Sequence, residues 1–196
     1  MKRTELLLLV LSSIGLIGQI MLVPFSAEIL ALSLNFLAIL YYVFTLPYFL
    51  GVPIKHMFKK SSYKDISKKR IFGTIFVGFG LSIIIIGIMF KLLLLPGAVE
   101  MLTIGTRGIL IASLVLLVKY LRDKTSAFNH FSLVRMVLVL IIGYTVLLIP
   151  SNLIVQVFYR DNPEFVELFK EYSKHPENEK LRIEMEEAFR NLKRSR

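Results

Sequence analysis

The 196-residue chain is 55% hydrophobic, with a mean hydropathy of +0.67 and a formal net charge of +10, whereas soluble domains hold roughly 45–50% apolar residues with Gly counted. This composition excludes an ordinary water-soluble domain and places the chain in a bilayer. Cysteine is absent, which excludes disulfides, thiolate metal sites and thiol catalysis.

In chain order, the apolar stretches predict five membrane-spanning helices at about 5–23, 29–48, 71–95, 101–121 and 131–150. Each approaches the ~20 residues that cross ~30 Å of hydrocarbon at ~1.5 Å per residue. Lys2 and Arg3 before a leucine run also fit a secretory signal, but Phe25 occupies the −3 position of the candidate cleavage site after Ala27, where a small residue is required. The segment is therefore read as a helix of the mature chain. Beyond it, Tyr41, Tyr42, Tyr48, Tyr120 and Tyr159 are candidate interface anchors.

From Arg160 the character changes, with nine basic and nine acidic residues balancing over 160–196. Two amphipathic helices fit this tail. The first is capped at Asp161 or Asn162, carries Pro163 in its first turn and aligns Phe165, Leu168, Phe169 and Tyr172. The second follows His175 and Pro176 and aligns Leu181, Met185, Ala188, Phe189 and Leu192. The expected organisation is a transmembrane domain over 1–158 and an extramembrane helical tail over 159–196.

The segments 5–50 and 71–122 read as one hairpin written twice, 72 residues apart. Ile14 and Gly15 answer Ile86 and Gly87, Gln19 answers Lys91, Pro24 answers Pro96, Glu28 answers Glu100, Leu30 answers Leu102, and Asn35 answers Arg107. Duplication of this kind is a common way to build a membrane bundle.

Charge placement sets the expected topology. The loop 55–70 carries Lys55, Lys59, Lys60, Lys64, Lys68, Lys69 and Arg70 against the single acid Asp65, and Lys119, Arg122 and Lys124 mark a second basic loop. The turns at 24–28 and 96–100 hold no basic residue. The positive-inside rule then puts the N-terminus and both basic loops in the cytoplasm of a bacterial inner membrane, and the C-terminus in the periplasm. The seven basic residues of 55–70 are read as contacts for anionic lipid, not nucleic acid.

Ionisable residues inside spans are functional candidates by default. Lys91 lies five residues before Pro96, and Arg107 lies seven beyond Glu100. Glu100 is expected to pair across the turn with Lys91 or Arg107, as a structural clasp or as a gate; Glu28, Gln19 and Asn35 are the corresponding positions of the first hairpin. His56, His130 and His175 fall in separate loops, which gives no metal-binding spacing. No nucleophile stands at a recognisable spacing from a base, and no phosphate-binding glycine loop is present, so neither enzyme nor cofactor is expected.

The run Gly87-Ile88-Met89-Phe90-Lys91, with Pro96-Gly97-Ala98, Met101-Leu102 and Ile104-Gly105, resembles the membrane hairpin of the gliding-motility inner-membrane motor protein, the L subunit of the type IX secretion motor. It is similar as well to a wider set of small multi-pass membrane proteins with the same hairpin. The resemblance implies a helical hairpin, an envelope setting and, for Lys91, the position of the lysine implicated in using the proton gradient. Where that family has His-Trp before the proline this chain has Leu94-Leu95, and Ser113 stands where the second helix would carry an acid. The expectation is therefore an all-α, five-span membrane protein with two parallel hairpin repeats and an amphipathic tail hairpin. Its expected role is an accessory or scaffold subunit among other envelope membrane proteins, with ion or small-solute translocation as the alternative.

Overall fold

A computed structural model describes residues 2–122 and 127–195, and every regular element among them is helical. The membrane-length elements are α1 (Lys2–Ile20), α2 (Ser26–Val43), α4 (Lys68–Leu92), α5 (Ala98–Arg122) and α6 (Ala127–Leu148); the short α3 (Thr45–Leu50) follows α2. The remainder are α7 (Ser151–Phe158), α8 (Pro163–Lys174) and α9 (Glu179–Ser195). Helices α1, α2, α4 and α5 are long and apolar enough to cross a membrane, and α6 with α7, bent by 87° at their junction, makes a fifth if the pair is one span. Lys124 of the second basic loop lies outside the described residues.

Hydropathy alone places the helix ends too late. Helices α1 and α4 stop at Ile20 and Leu92, because the chain turns while its composition is still apolar. Val23 N donates to Gly18 O at 2.8 Å and Leu22 N to Gln19 O at 3.3 Å; Leu95 N donates to Phe90 O at 2.8 Å and Leu94 N to Lys91 O at 3.4 Å. These are paired Schellman caps, which need a left-handed residue that is usually glycine. Here it is leucine in both, Leu22 at φ 60° and Leu94 at φ 55°, so no glycine marked the stop. Phe25 at φ 62° and Gly97 at φ 83° then open α2 and α5.

A left-handed side-chain-bearing residue costs roughly 1–2 kcal/mol, which predicts opposite signs for two alanine substitutions. Gly97→Ala is expected to lower the thermal midpoint in detergent. Gly73→Ala, on a helix with nothing within 4 Å of the new methyl, is expected to raise it through helix propensity worth about 1 kcal/mol.

The expected second span, 29–48, breaks after Val43. Pro47 lacks an N–H and its ring collides with the carbonyl four residues back, so the chain restarts as α3 with Tyr48 N on Phe44 O at 2.9 Å.

Helices α2 and α4 form the centre; α1 packs on α2, α5 on α4, and α6 on α4 and α5. Leu30, Leu81, Ile84, Leu102, Ile109 and Met136 are fully buried between them, while Leu6, Leu32, Phe36, Ile111, Leu114 and Ile141 line the outside. An apolar exterior around an apolar core suits hydrocarbon as the surrounding solvent, and small residues set the close approaches. A methyl on Gly15 would sit 2.7 Å from Leu30 N, and one on Gly87 would sit 3.0 Å from Leu102 N.

The turns at 20–26 and 92–98 share one end of the bundle with α7; the N-terminus and the 51–67 loop share the other. The tail closes on the turn end as a helical hairpin in which Phe165 stacks on Phe189 at 5.8 Å and meets Tyr159 at 5.2 Å. The apolar core runs without interruption from Leu8 to Val166, so the tail packs onto the spans.

Candidate functional site

The turn end holds most of the residues singled out from sequence. Lys91, in the last turn of α4, is buried and donates from Nζ to Ser151 Oγ at 3.0 Å. The expected ion pair of Glu100 with Lys91 or Arg107 does not form: among the described residues no salt bridge joins the three. The reason lies in the α6–α7 bend, which carries Ser151 onto the ammonium. Glu100 faces the same cleft of about 290 Å³, lined also by Pro96, Gly97 and Phe169, and Arg107 stays exposed on the outer face of α5. In the first hairpin, buried Gln19 accepts from Ser26 Oγ at 3.4 Å, Asn35 Nδ2 lies 3.2 Å from Met89 Sδ, and Glu28 is exposed. Lys91 and Glu100 share one cleft and Gln19 and Glu28 line another, so the six do not converge on a single site.

Convergence occurs at the other end. Glu5 of α1 is buried and its carboxylate is grasped from three elements. Arg135 of α6 places Nε 2.9 Å from Oε1 and donates from Nη2 to Oε2 at 2.9 Å, a two-pronged match of planar guanidinium to carboxylate. Tyr41 of α2 donates its hydroxyl to Oε1 and Tyr48 of α3 donates to Oε2. The guanidinium also lies 4.5 Å from the Tyr48 ring centroid and 5.8 Å from that of Phe49, where the ring quadrupoles attract a cation. Both carboxylate oxygens are thus saturated, and the charge is cancelled where it is buried.

Helix length and local spacing single out neither Glu5 nor Arg135, and they mark Tyr41 and Tyr48 only as interface anchors. A signal existed: Glu5 and Arg135 are the lone charges in the first and fifth apolar stretches, and they have opposite sign. Opposite lone charges matched across the whole chain, and not only across the nearest turn, point to this pair.

Between α1 and α6 the bundle leaves a cleft of about 620 Å³, with Leu9 and Leu16 on one wall, Leu138 and Ile142 on the other, and Leu34 and Ile85 in its floor. The Glu5–Arg135 bridge closes its loop end. Ser12 Oγ bonds across the α1–α2 contact to Ser33 Oγ at 2.9 Å. Among the described residues no three His, Asp or Glu side chains stand close enough to hold a metal. Lys55, Lys59, Lys60, Lys64, Lys68, Lys69 and Arg70 are all exposed at the loop end.

Comparisons with protein-family models, with curated proteins and with solved structures return no match.

Proposed function

We propose that the chain is a non-enzymatic scaffold or accessory subunit of the bacterial inner membrane, docking within a larger envelope complex. Its observational support is the isolation of its buried charges. Glu5 and Arg135 cancel at the loop end and Lys91 is held by Ser151 at the turn end. The side chains between them, Leu30, Leu34, Leu37, Leu81, Ile84, Ile85 and Ile88, are buried and apolar. The hydroxyls of Ser12, Ser33 and Thr106 spend bonds on helix carbonyls. A translocation path needs polar groups that hand charge onward across the hydrocarbon.

The second reading, ion or small-solute translocation gated by Lys91, Glu100 and Arg107, draws on the cleft that Lys91 and Glu100 share and on the resemblance to the motor hairpin. Proteoliposome flux separates the readings. For a scaffold, no proton or ion flux exceeds that of empty vesicles, Lys91→Gln changes nothing, and mild-detergent purification brings down membrane partners. Flux abolished by Lys91→Gln would establish translocation instead.

The same proposal reads the architecture as two copies of one hairpin related by an axis along the membrane normal, supported by the matched Schellman turns and matched Gly15 and Gly87 contacts. It places the N-terminus and loop end in the cytoplasm and the tail in the periplasm, supported by the basic loops. In this cysteine-free chain, single cysteines at exposed positions 25, 61 and 173 test the sidedness. An impermeant thiol reagent applied to intact cells is expected to label Phe25→Cys and Ser173→Cys and to spare Ser61→Cys; the reverse pattern would invert the topology.

A further inference from the structure

One residue of the basic loop fits none of these roles. Phe58 is 91% exposed, more than any other large hydrophobic side chain among the described residues. The other exposed apolar residues mostly sit on membrane-length helices, where lipid covers them. Phe58 instead lies between Lys55 and the pair Lys59 and Lys60, off any span.

The segment that carries it is shaped and tethered. Two 3-10 turns, Ile54–His56 and Lys60–Tyr63, flank it, Lys59 N bonds to His56 O at 3.0 Å, and Tyr63 donates its hydroxyl to Met57 O at 2.6 Å. Partial burial raises the Tyr63 pKa. Upstream, Val52 and Phe49 are buried and Thr45 Oγ1 bonds to Thr74 O at 3.1 Å. These contacts fix the root of the loop to the first turns of α4.

We propose that this loop is a membrane-surface anchor, in which Phe58 enters the acyl region of an anionic leaflet while Lys55, Lys59, Lys60 and Lys64 lie on lipid phosphates. Charge complementarity selects the occupant. The loop carries seven basic residues against Asp65, its tether keeps it beside the headgroups, and a lysine near an anionic surface strengthens association roughly fivefold. An exposed phenylalanine among lysines gains from water only by finding hydrocarbon, which the adjacent bilayer supplies.

The chain contains no tryptophan, so Phe58→Trp in the full-length protein gives a single reporter at a site with no packing to disturb. The variant is placed in nanodiscs of phosphatidylcholine alone and in nanodiscs with about 30 mol % phosphatidylglycerol. With the anionic lipid, emission is expected to shift to the blue and to be quenched several-fold by brominated acyl chains. Both effects should reverse near about 0.5 M salt, where the Debye length falls to roughly 4 Å. Adding Lys55→Gln, Lys59→Gln and Lys60→Gln should abolish the shift while leaving the thermal midpoint in place. Identical emission in the two lipids, a shift that survives the triple change, or quenching by a short RNA in place of lipid would overturn the anchor. Both nanodisc leaflets have one composition, so the result is independent of which way the protein faces and of the scaffold reading.

Discussion

Arg135→Ala is expected to destabilise the detergent-solubilised protein by about 3–5 kcal/mol, the loss measured when one partner of a buried ion pair is removed. The substitution strands the Glu5 carboxylate among Tyr41, Tyr48 and the apolar wall of the cleft, with two hydroxyl donors but no counter-charge. Glu5→Gln should cost a similar amount by stranding the guanidinium. The double variant Glu5→Gln with Arg135→Met should recover most of the loss, because a neutral pair of similar volume needs no compensation. Equilibrium unfolding in mixed micelles gives the four corners of this cycle. Single losses under about 1 kcal/mol that simply add in the double variant would show an interaction no stronger than a surface pair. Proteolysis should report where the damage lies, since the bridge is what holds α6 to α1 at the loop end.

Gly78→Ala is expected to cost about 1–3 kcal/mol, the range for overfilling a packed contact. Its methyl would sit 2.6 Å from the carbonyl oxygen of Tyr41 and also against Thr45. Thr45 lies nearer still, but the Tyr41 oxygen belongs to the backbone of α2 and cannot rotate away, so α2 and α4 must separate. Those helices join the two hairpins, and the same movement would loosen the Thr45 bond to Thr74 O and shift Tyr41 from Glu5. Gly108→Ala is the control, since its methyl meets only Phe76 at 3.7 Å. Thermal unfolding of the two variants side by side is expected to show a lowered midpoint for Gly78→Ala alone; equal midpoints would mean that the α2–α4 contact is slack.

What could be read from the sequence follows from the range of the forces involved. Apolar length and helical period are local, so the helical class, the long apolar helices and the two tail stripes were legible. Phe165 and Phe189 lie on those two stripes, and the fold brings the stripes together. Helix ends are not legible where the stop signal is conformational, at Leu22 and Leu94, or where a proline acts four residues back, at Pro47. The partner of Lys91 is illegible for a different reason. Lys91 and Glu100 are neighbours in sequence, but Lys91 bonds to Ser151, 60 residues on. Periodicity carries no information about which distant helix a side chain will meet, and the bend that delivers Ser151 is a property of the folded chain.

The 130 residues separating Glu5 from Arg135 also set a clock on biogenesis. At roughly 5–20 residues per second, the carboxylate waits on the order of ten seconds between its own synthesis and that of its counter-ion. Throughout that interval α1, α2 and α3 can offer it only the hydroxyls of Tyr41 and Tyr48. The bundle is therefore sealed by its last long helix, and a chain that ends before α6 keeps an unneutralised acid inside an otherwise finished pair of hairpins. The charge balance of the bundle is thus withheld until α6 has been made.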